Sequence, residues 1–460
     1  MSTTKTTWVT ETLHEAVVPS GEITTGDNVK LDVKGLRAAI PAHCLKPSTL
    51  RSFSFVFRDL AFYLAFLCTA LYVERTTNNY VVSFLNRFIV FPYAAGIALT
   101  GLWVLGHEAG HGAFSTNQKV ANTVGFIIHS ALMSPYFAWR SSHGRHHQYA
   151  NNVAIDLNYV PPSREEYRTM FGNRSKRGQE ALQKKFEAEG KESGIHDDDV
   201  FEDAPFVVLL RIILQQVIGW YWYLLTHITA GPESSPKRTR GWWDNSHFLP
   251  NSSLFRDDEF WNILLSDIGL LVMMGVIYTA GKQFGFMTVL WTYGIPLLWV
   301  NHWIVMITYL HHTHTDLPKY APESWTYLRG ALATVDRDPG FILRHMTHHI
   351  IDLHVIHHLF PRIPHYHAAE ATNAIKPLLG DQYHVDKTSY WGALWTAFTD
   401  CQWVEPDKER TAKASVYSSS MGDSVESAKQ KVIDETGVLW YRGGRMPGPA
   451  VINSRLLEKS

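Results

Sequence analysis

Long uncharged apolar runs alternate with short histidine-rich polar runs along this 460-residue chain. The first apolar run begins at Phe53-Ser54-Phe55-Val56-Phe57, strengthens over Leu60 to Val73 and closes on Glu74 and Arg75. The second, Phe88 to Leu105, is uncharged for 18 residues, close to the roughly 20 that a helix needs to cross hydrocarbon. Together they predict a helical hairpin running out and back. A second hairpin is predicted by the run that starts at Ile263 and continues from Ile268 to Ala280, followed by 28 uncharged residues from Gln283 to Leu310. Trp291, Trp299, Trp303 and Tyr309 suit membrane interfaces or core packing.

Two further apolar stretches are interrupted. Residues 120–137 contain His129 and Pro135, and residues 206–228 contain Arg211, Gln215, Gln216 and His227. If the histidines near 111, 143 and 354 meet at one centre, the number of crossings between them is even. The 120–137 stretch is then not a single full span, and 206–228 is expected to be an interfacial or buried helix. The fold expected is mostly α: four full spans under a cytosolic, histidine-rich cap. Residues 1–50 read as a cytosolic N-terminal segment, 51–400 as the membrane domain with a charged insertion at 164–203, and 401–460 as a cytosolic tail. A short amphipathic helix ending at Pro41 either lies on the membrane or packs on the domain. The first 20 residues lack a basic head and an apolar run, so no cleaved leader is expected.

The 42 basic and 43 acidic residues nearly cancel, which gives no reason to expect a nucleic acid partner. Three cysteines (Cys44, Cys68 and Cys401) are too few for a disulfide framework or a four-cysteine metal site. No dinucleotide fingerprint or Walker loop is present. The 24 histidines matter through their grouping. His107 and His111 are four apart, and His143, His146 and His147 are repeated in spacing by His354, His357 and His358. On a helix, such spacings bring imidazoles to one side. Eight histidines exceed the needs of one four-coordinate zinc and fit two metals sharing a compact site. His312 and His314 are candidates for a further ligand, and His348 is another; His345 and His349 are candidates to orient ligands or water. His129, His227 and His302 are expected to make local hydrogen bonds. Because His107-Glu108-Ala109-Gly110-His111 also matches HExxH, a zinc hydrolase with Glu108 as general base is the alternative enzyme. Neutral imidazoles at the end of a membrane bundle suit non-heme iron, which can activate dioxygen and oxidise an unactivated carbon.

The three clusters, with Leu328-Arg329-Gly330-Ala331-Leu332-Ala333-Thr334-Val335-Asp336-Arg337-Asp338, His354 to His367 and the early Ile40-Pro41-Ala42-His43-Cys44, resemble the membrane fatty acid desaturase family, especially fungal and plant-like delta-12 and omega-3 acyl desaturases. The likeness runs over roughly residues 33–400. It implies a diiron centre of two Fe ions held by His107, His111, His143, His146, His147, His354, His357 and His358, with His312 or His314 as a ninth ligand. The implied reaction introduces a cis double bond into a long-chain acyl lipid, phospholipid-linked or acyl-CoA, using dioxygen. The resemblance places the chain in the endoplasmic reticulum membrane with both termini cytosolic. Electrons would come from cytochrome b5 and its reductase, and since no His-Pro-Gly-Gly heme segment is present, the cytochrome is expected to be a separate protein. Glu108, Asp156 and Asp352 read as supporting or structural groups. Ala109, His349 and Leu353 depart from common delta-12 residues, while Val355-Ile356 and Pro361 to Pro364 resemble omega-3 enzymes. Hydroxylation or triple-bond formation on a specialised lipid is the related alternative, and homo- or hetero-oligomerisation stays open.

Overall fold

The computed structural model describes residues 23–24, 30–167, 204–227, 229–237, 241, 243–411 and 437–442. Most of the charged insertion and much of the tail lie outside these residues. Helix α1 (Val33–Ala39) is capped by the Asp32 side chain and leads through Pro41 into a tight turn at Ala42–Leu45. Leu36, Ile40 and Cys44 pack beside Val355, Leu359 and Ile375, so this segment docks on the domain. Of the two sequence readings, packing is the one realised.

The bundle follows. Helix α2 (Thr49–Thr76) starts at the Ser48 cap, and a continuous Tyr80–His111 helix, with a wider turn at Asn86–Val90, ends in α3 (Phe91–His111). Gly112 stops α3 with φ +74°, a left-handed conformation that glycine adopts without a Cβ penalty. His107 and His111 are thereby left in the last turns. Next come α4 (Gln118–Ala131) and α5 (Tyr136–Tyr149), separated by a break that ends at Pro135. The 120–137 stretch is therefore not one span, as the parity argument requires. Helices α6 (Pro205–Thr226), α7 (Phe260–Phe284) and α8 (Ile295–Leu310) complete the apolar part.

Helix α3 is the bundle's axis: nearly every residue from Ala95 to Ala109 is buried, against α2, α4 and α8. Gly106 lets α4 approach, since a Cβ there would lie 2.4 Å from the His129 ring. By contrast, Phe57, Leu64, Leu271 and Val272 on α2 and α7 face outward, as lipid-facing surfaces do. Five helices are long and apolar enough to cross a membrane, one more than the four spans expected, because Pro205–Thr226 qualifies despite its polar interruptions. It packs chiefly against α8, and it also reaches the cap. Arg211 lies over the Phe398 ring in the cap, and the carbonyl of Leu224, in the last turn, accepts from the His247 backbone N–H, whose side chain meets Ser142 on α5. Both halves of α6 thus touch elements around the histidine-bearing end.

The cap contains short strands. β1 (Pro318–Tyr320), β4 (Trp403–Pro406) and β5 (Val438–Arg442) form an antiparallel sheet in the order β1-β5-β4, with Lys319 opposite Leu439 and Val404 opposite Tyr441. β2 (Val335–Arg337) pairs in parallel with β3 (His384–Asp386). Helices α9 (His354–Leu359), α10 (His365–Leu379) and α11 (Tyr390–Asp400) pack around these strands and the ends of α3 and α8. Part of the chain beyond Cys401 is therefore integral to the cap.

Candidate metal centre

The histidines converge in two adjoining groups. His107, His111, His143, His147 and His357 place one potential ligand atom each within 4.8 Å of all the others, and His146, His312 and His358 do the same. His354 joins the second group, with its Nε2 3.4 Å from His312 Nε2. Within the first, Nε2–Nε2 separations are 2.8 Å for His107 and His111, 3.2 Å for His107 and His143, and 3.1 Å for His143 and His147.

Local geometry explains the division. His107 and His111 share one face of α3 by their i,i+4 spacing. On α5, His143 and His147 face the first group while His146, about 100° away around the helix, faces the second. On α9 the same turn sends His357 to the first group and His358 to the second. His312 arrives from the chain just after α8. His314, the other candidate, lies outside both groups: its Nε2 is 3.7 Å from the Asp386 carboxylate. His348 is also elsewhere, with Nε2 2.6 Å from Asp59 on α2 and both side chains buried.

The supporting contacts orient the rings. Asp156 accepts from His146 Nδ1 at 2.6 Å, and the Ile350 carbonyl accepts from His354 Nδ1 at 3.0 Å, leaving Nε2 of each ring free of a proton for its group. Trp139 stacks on His143 at 4.2 Å, and His147 stacks on His358 at 4.1 Å. Asp336 accepts from the Val355 N–H at 2.8 Å and from Tyr383, fixing the start of α9. Burial pushes the Asp336 carboxyl up to about 7, against the lowering effect of these bonds. Buried Lys319 donates to the His312 carbonyl at 2.9 Å and to Asn151, holding the loop that presents His312. Burial pushes its ammonium down to about 8.

The residues fit metal ions. His357 Nε2 and both ring nitrogens of His358 are buried without a hydrogen-bond partner, and a cation would satisfy the one lone pair that each neutral ring carries. Burial first, then neighbouring cationic or imidazole groups, hold His143, His147, His312, His354, His357 and His358 well below the usual histidine range. Neutral imidazole is the form that ligates. Nitrogen-only donation suits a transition metal and is unsuited to Mg or Ca.

Glu108 points away from this role as a base. Its Oε1 accepts from the His365 backbone N–H at 2.7 Å and its Oε2 accepts from His365 Nδ1 at 2.7 Å, at the start of α10. Both carboxylate oxygens are thus engaged in tying α3 to α10, a structural role and not the geometry of a base aimed at the histidine groups. Asp352 pairs with His349 and Arg344. His129 bonds the Trp103 carbonyl at 3.0 Å, a local role as expected. Lys319, Asn151, Asp336 and His365 escape sequence reasoning as functional residues; the only hint was the position of Asp336 in the Leu328–Asp338 motif and of His365 in the His354–His367 motif.

Apolar helices long enough to span a membrane, ending in a buried double histidine site, define a helical metal-binding protein of membrane type, and the comparisons with known proteins give its family. The fatty acid desaturase family model matches residues 84–390, and the chain belongs to that family. It is similar to an oleate hydroxylase of Claviceps purpurea, 38% identical over 397 residues that cover 82% of this chain and 78% of that protein. A delta-12 fatty acid desaturase of Mortierella isabellina is 37% identical over 376 residues, covering 81% and 88% respectively. A delta-12 fatty acid desaturase of Arabidopsis thaliana is 37% identical over 384 residues, covering 83% and 89%. The chain is an oxidoreductase of the fatty acid desaturase type with a histidine-rich metal site.

Proposed function

We propose that the chain is an oxygen-dependent delta-12 acyl desaturase acting on the oleoyl chain of a membrane lipid. The observation that carries the reading is the convergence of nine histidines into two nitrogen-rich groups at the end of an apolar bundle. Two irons in those groups would supply the redox chemistry needed to use dioxygen and take hydrogen from an unactivated methylene. His107, His111, His143, His147 and His357 would hold one, and His146, His312, His354 and His358 the other.

The protein's own share is orientation and exclusion. Asp156 and the Ile350 carbonyl hold two imidazoles in the ligating tautomer. Trp103 and Trp139 wall the first group from the bundle side and keep water from it. A cavity of about 220 Å³ reaches His111 and His147 past Phe137 and Tyr327 and is also lined by Arg140 and Arg362. With Arg145 and Arg256 also in its lining, this mouth is basic and suits the anionic end of a lipid beside the reacting centre.

Delta-12 is favoured over omega-3 by the named activities of the Mortierella and Arabidopsis relatives. Hydroxylation of the same chain is the second reading, favoured by the equal similarity to the Claviceps oleate hydroxylase. For the cap and both termini to share the cytosolic face of the endoplasmic reticulum, four of the five long helices would cross fully, and α6, whose apolar run is broken by Arg211, Gln215 and Gln216, would lie along the interface. Separate cytochrome b5 and its reductase deliver the electrons. Residues 51–400, joined by the strands of the tail, act as one membrane domain.

The test is expression in yeast membranes beside a His143→Ala control, with oleoyl and linoleoyl lipids supplied. Mass spectrometry should find a His143-dependent double bond at the delta-12 position. A hydroxyl there would select the second reading, and an omega-3 bond would overturn the delta-12 assignment. No histidine-dependent product despite folded protein and working electron transfer would reject the ordinary oleoyl reading.

A further inference from the structure

A second cluster of residues of metal-ligating type lies apart from the nine histidines. The turn at Ala42–Leu45 presents His43 and Cys44, and α10 presents His367 and Glu370 three residues apart on one face. One potential ligand atom from each lies within 4.8 Å of the other three. Cys44 Sγ is 3.6 Å from His43 Nε2, His43 Nε2 is 2.9 Å from Glu370 Oε2, and His367 Nδ1 is 4.0 Å from the same oxygen. A tetrahedral zinc with sulfur at about 2.3 Å and nitrogen at about 2.0–2.1 Å has a sulfur–nitrogen edge of about 3.6 Å. The remaining separations bracket the roughly 3.3 Å edge between nitrogen and oxygen ligands at those bond lengths.

The backbone under these side chains is held independently. Leu36, Ile40 and Cys44 pack against Ala368, Ala371 and Ile375 of α10, so the two ligand pairs face each other whether or not an ion is present. Cys44 is buried, while about half of the His43 and Glu370 side-chain surface is exposed, which leaves an entry path from solvent. Chemistry separates this set from the main centre. The nine histidines offer nitrogen alone, whereas here one thiolate and one carboxylate would neutralise a divalent ion and two imidazoles complete the shell. Sulfur, nitrogen and oxygen in that mixture suit Zn²⁺ and are unsuited to Mg²⁺ or Ca²⁺.

We propose that His43, Cys44, His367 and Glu370 form a structural zinc site that fastens the N-terminal turn to α10. Two residues before His367, on a different face of the helix, His365 holds Glu108 beside His107. The ion therefore anchors the helix that buttresses the end of α3. It neither touches substrate nor exchanges electrons, and the proposal stands or falls apart from the acyl reaction.

Sulfur makes the test selective, because no cysteine belongs to the histidine groups. The full chain, purified in detergent with iron present, is given Zn²⁺, passed over a weak chelator and studied by zinc-edge X-ray absorption. One zinc per chain with a sulfur neighbour at about 2.3 Å is expected. Cys44→Ser should remove the sulfur neighbour, and Glu370→Gln and His367→Gln should each weaken zinc binding at least tenfold. Cys68→Ser should change nothing. The two α10 variants alter partly exposed side chains, so they read the site even if the buried Cys44 change impairs folding. Zinc that washes out of the wild type, zinc seen with nitrogen and oxygen neighbours only, or sulfur scattering that survives Cys44→Ser would each overturn the assignment.

Discussion

Asp156→Asn removes a charge but keeps the shape, so it isolates what the carboxylate does for His146. Three N–H groups point at this buried side chain: Oδ1 accepts from His146 Nδ1 at 2.6 Å and from the Asn158 N–H at 2.9 Å, and Oδ2 accepts from the Asn151 N–H at 2.7 Å. An amide has one oxygen. With that oxygen facing His146, its NH₂ meets the Asn151 N–H and leaves a buried donor unpaired. Flipped, the NH₂ faces His146 Nδ1, which must then accept, moving the ring proton to Nε2 and disabling the ligand. An unpaired buried donor costs about 1–3 kcal/mol, or about a 5- to 150-fold loss. Loss of a metal-orienting partner gives a similar figure, about 10–100-fold in affinity or activity. The expectation is that iron binding in the group containing His146 weakens at least tenfold, with product formation falling in step, while the five-histidine group keeps its ion. Iron per chain, titrated in detergent against a His143→Ala comparator that strikes the other group, reads this directly. Two irons bound with wild-type affinity and turnover within twofold of wild type, at normal abundance, would refute the orienting role.

The two loop histidines should separate cleanly in a yeast product assay: His312→Ala should abolish turnover, and His314→Ala should retain most of it. Glu108→Gln should keep at least a tenth of wild-type turnover and lower the thermal midpoint, since the side chain ties α3 to α10; complete loss of activity in a normally folded protein would restore a direct chemical role. Acid should destabilise the fold. Because folded-state histidine values here lie below the ordinary 6.5, the unfolded chain binds more protons, so the stability these buried histidines contribute is full above that pH and falls as pH drops below it. Thermal midpoints of the metal-free protein measured about one unit above and one unit below 6.5 check this, and a flat profile would count against it.

Spacing made eight of the nine histidines legible, because i,i+3 and i,i+4 patterns on α3, α5 and α9 have only one helical meaning. His312 and His314 were ambiguous for the complementary reason: they follow the end of α8, where no helical period relates one side chain to the next. Only the anchoring of that loop by Lys319 settles which one turns inward. Pairings such as Asp156 with His146 and Glu108 with His365 differ in the same way, the first being local enough to suspect and the second spanning 257 residues. The spans were readable from apolar length. Strands of three to five residues were not, since β1 and β5 gain their meaning from a partner more than a hundred residues away. Helix α6 shows the limit of composition: Arg211, Gln215 and Gln216 argued against a span, yet its length and apolarity match one and it packs chiefly against α8 in the bundle core.

His146 beside His147 on α5, and His357 beside His358 on α9, send neighbouring side chains to different groups. The distance between the two groups is consequently set by single peptide units within two short helices. Tilting of α7, whose Asn262 and Ile263 line the mouth beside His111 and His147, can widen or narrow that mouth. It cannot stretch the gap between the groups without unwinding a helical turn. Movement of the surrounding helices would therefore change access to the centre while leaving the spacing of its two groups fixed.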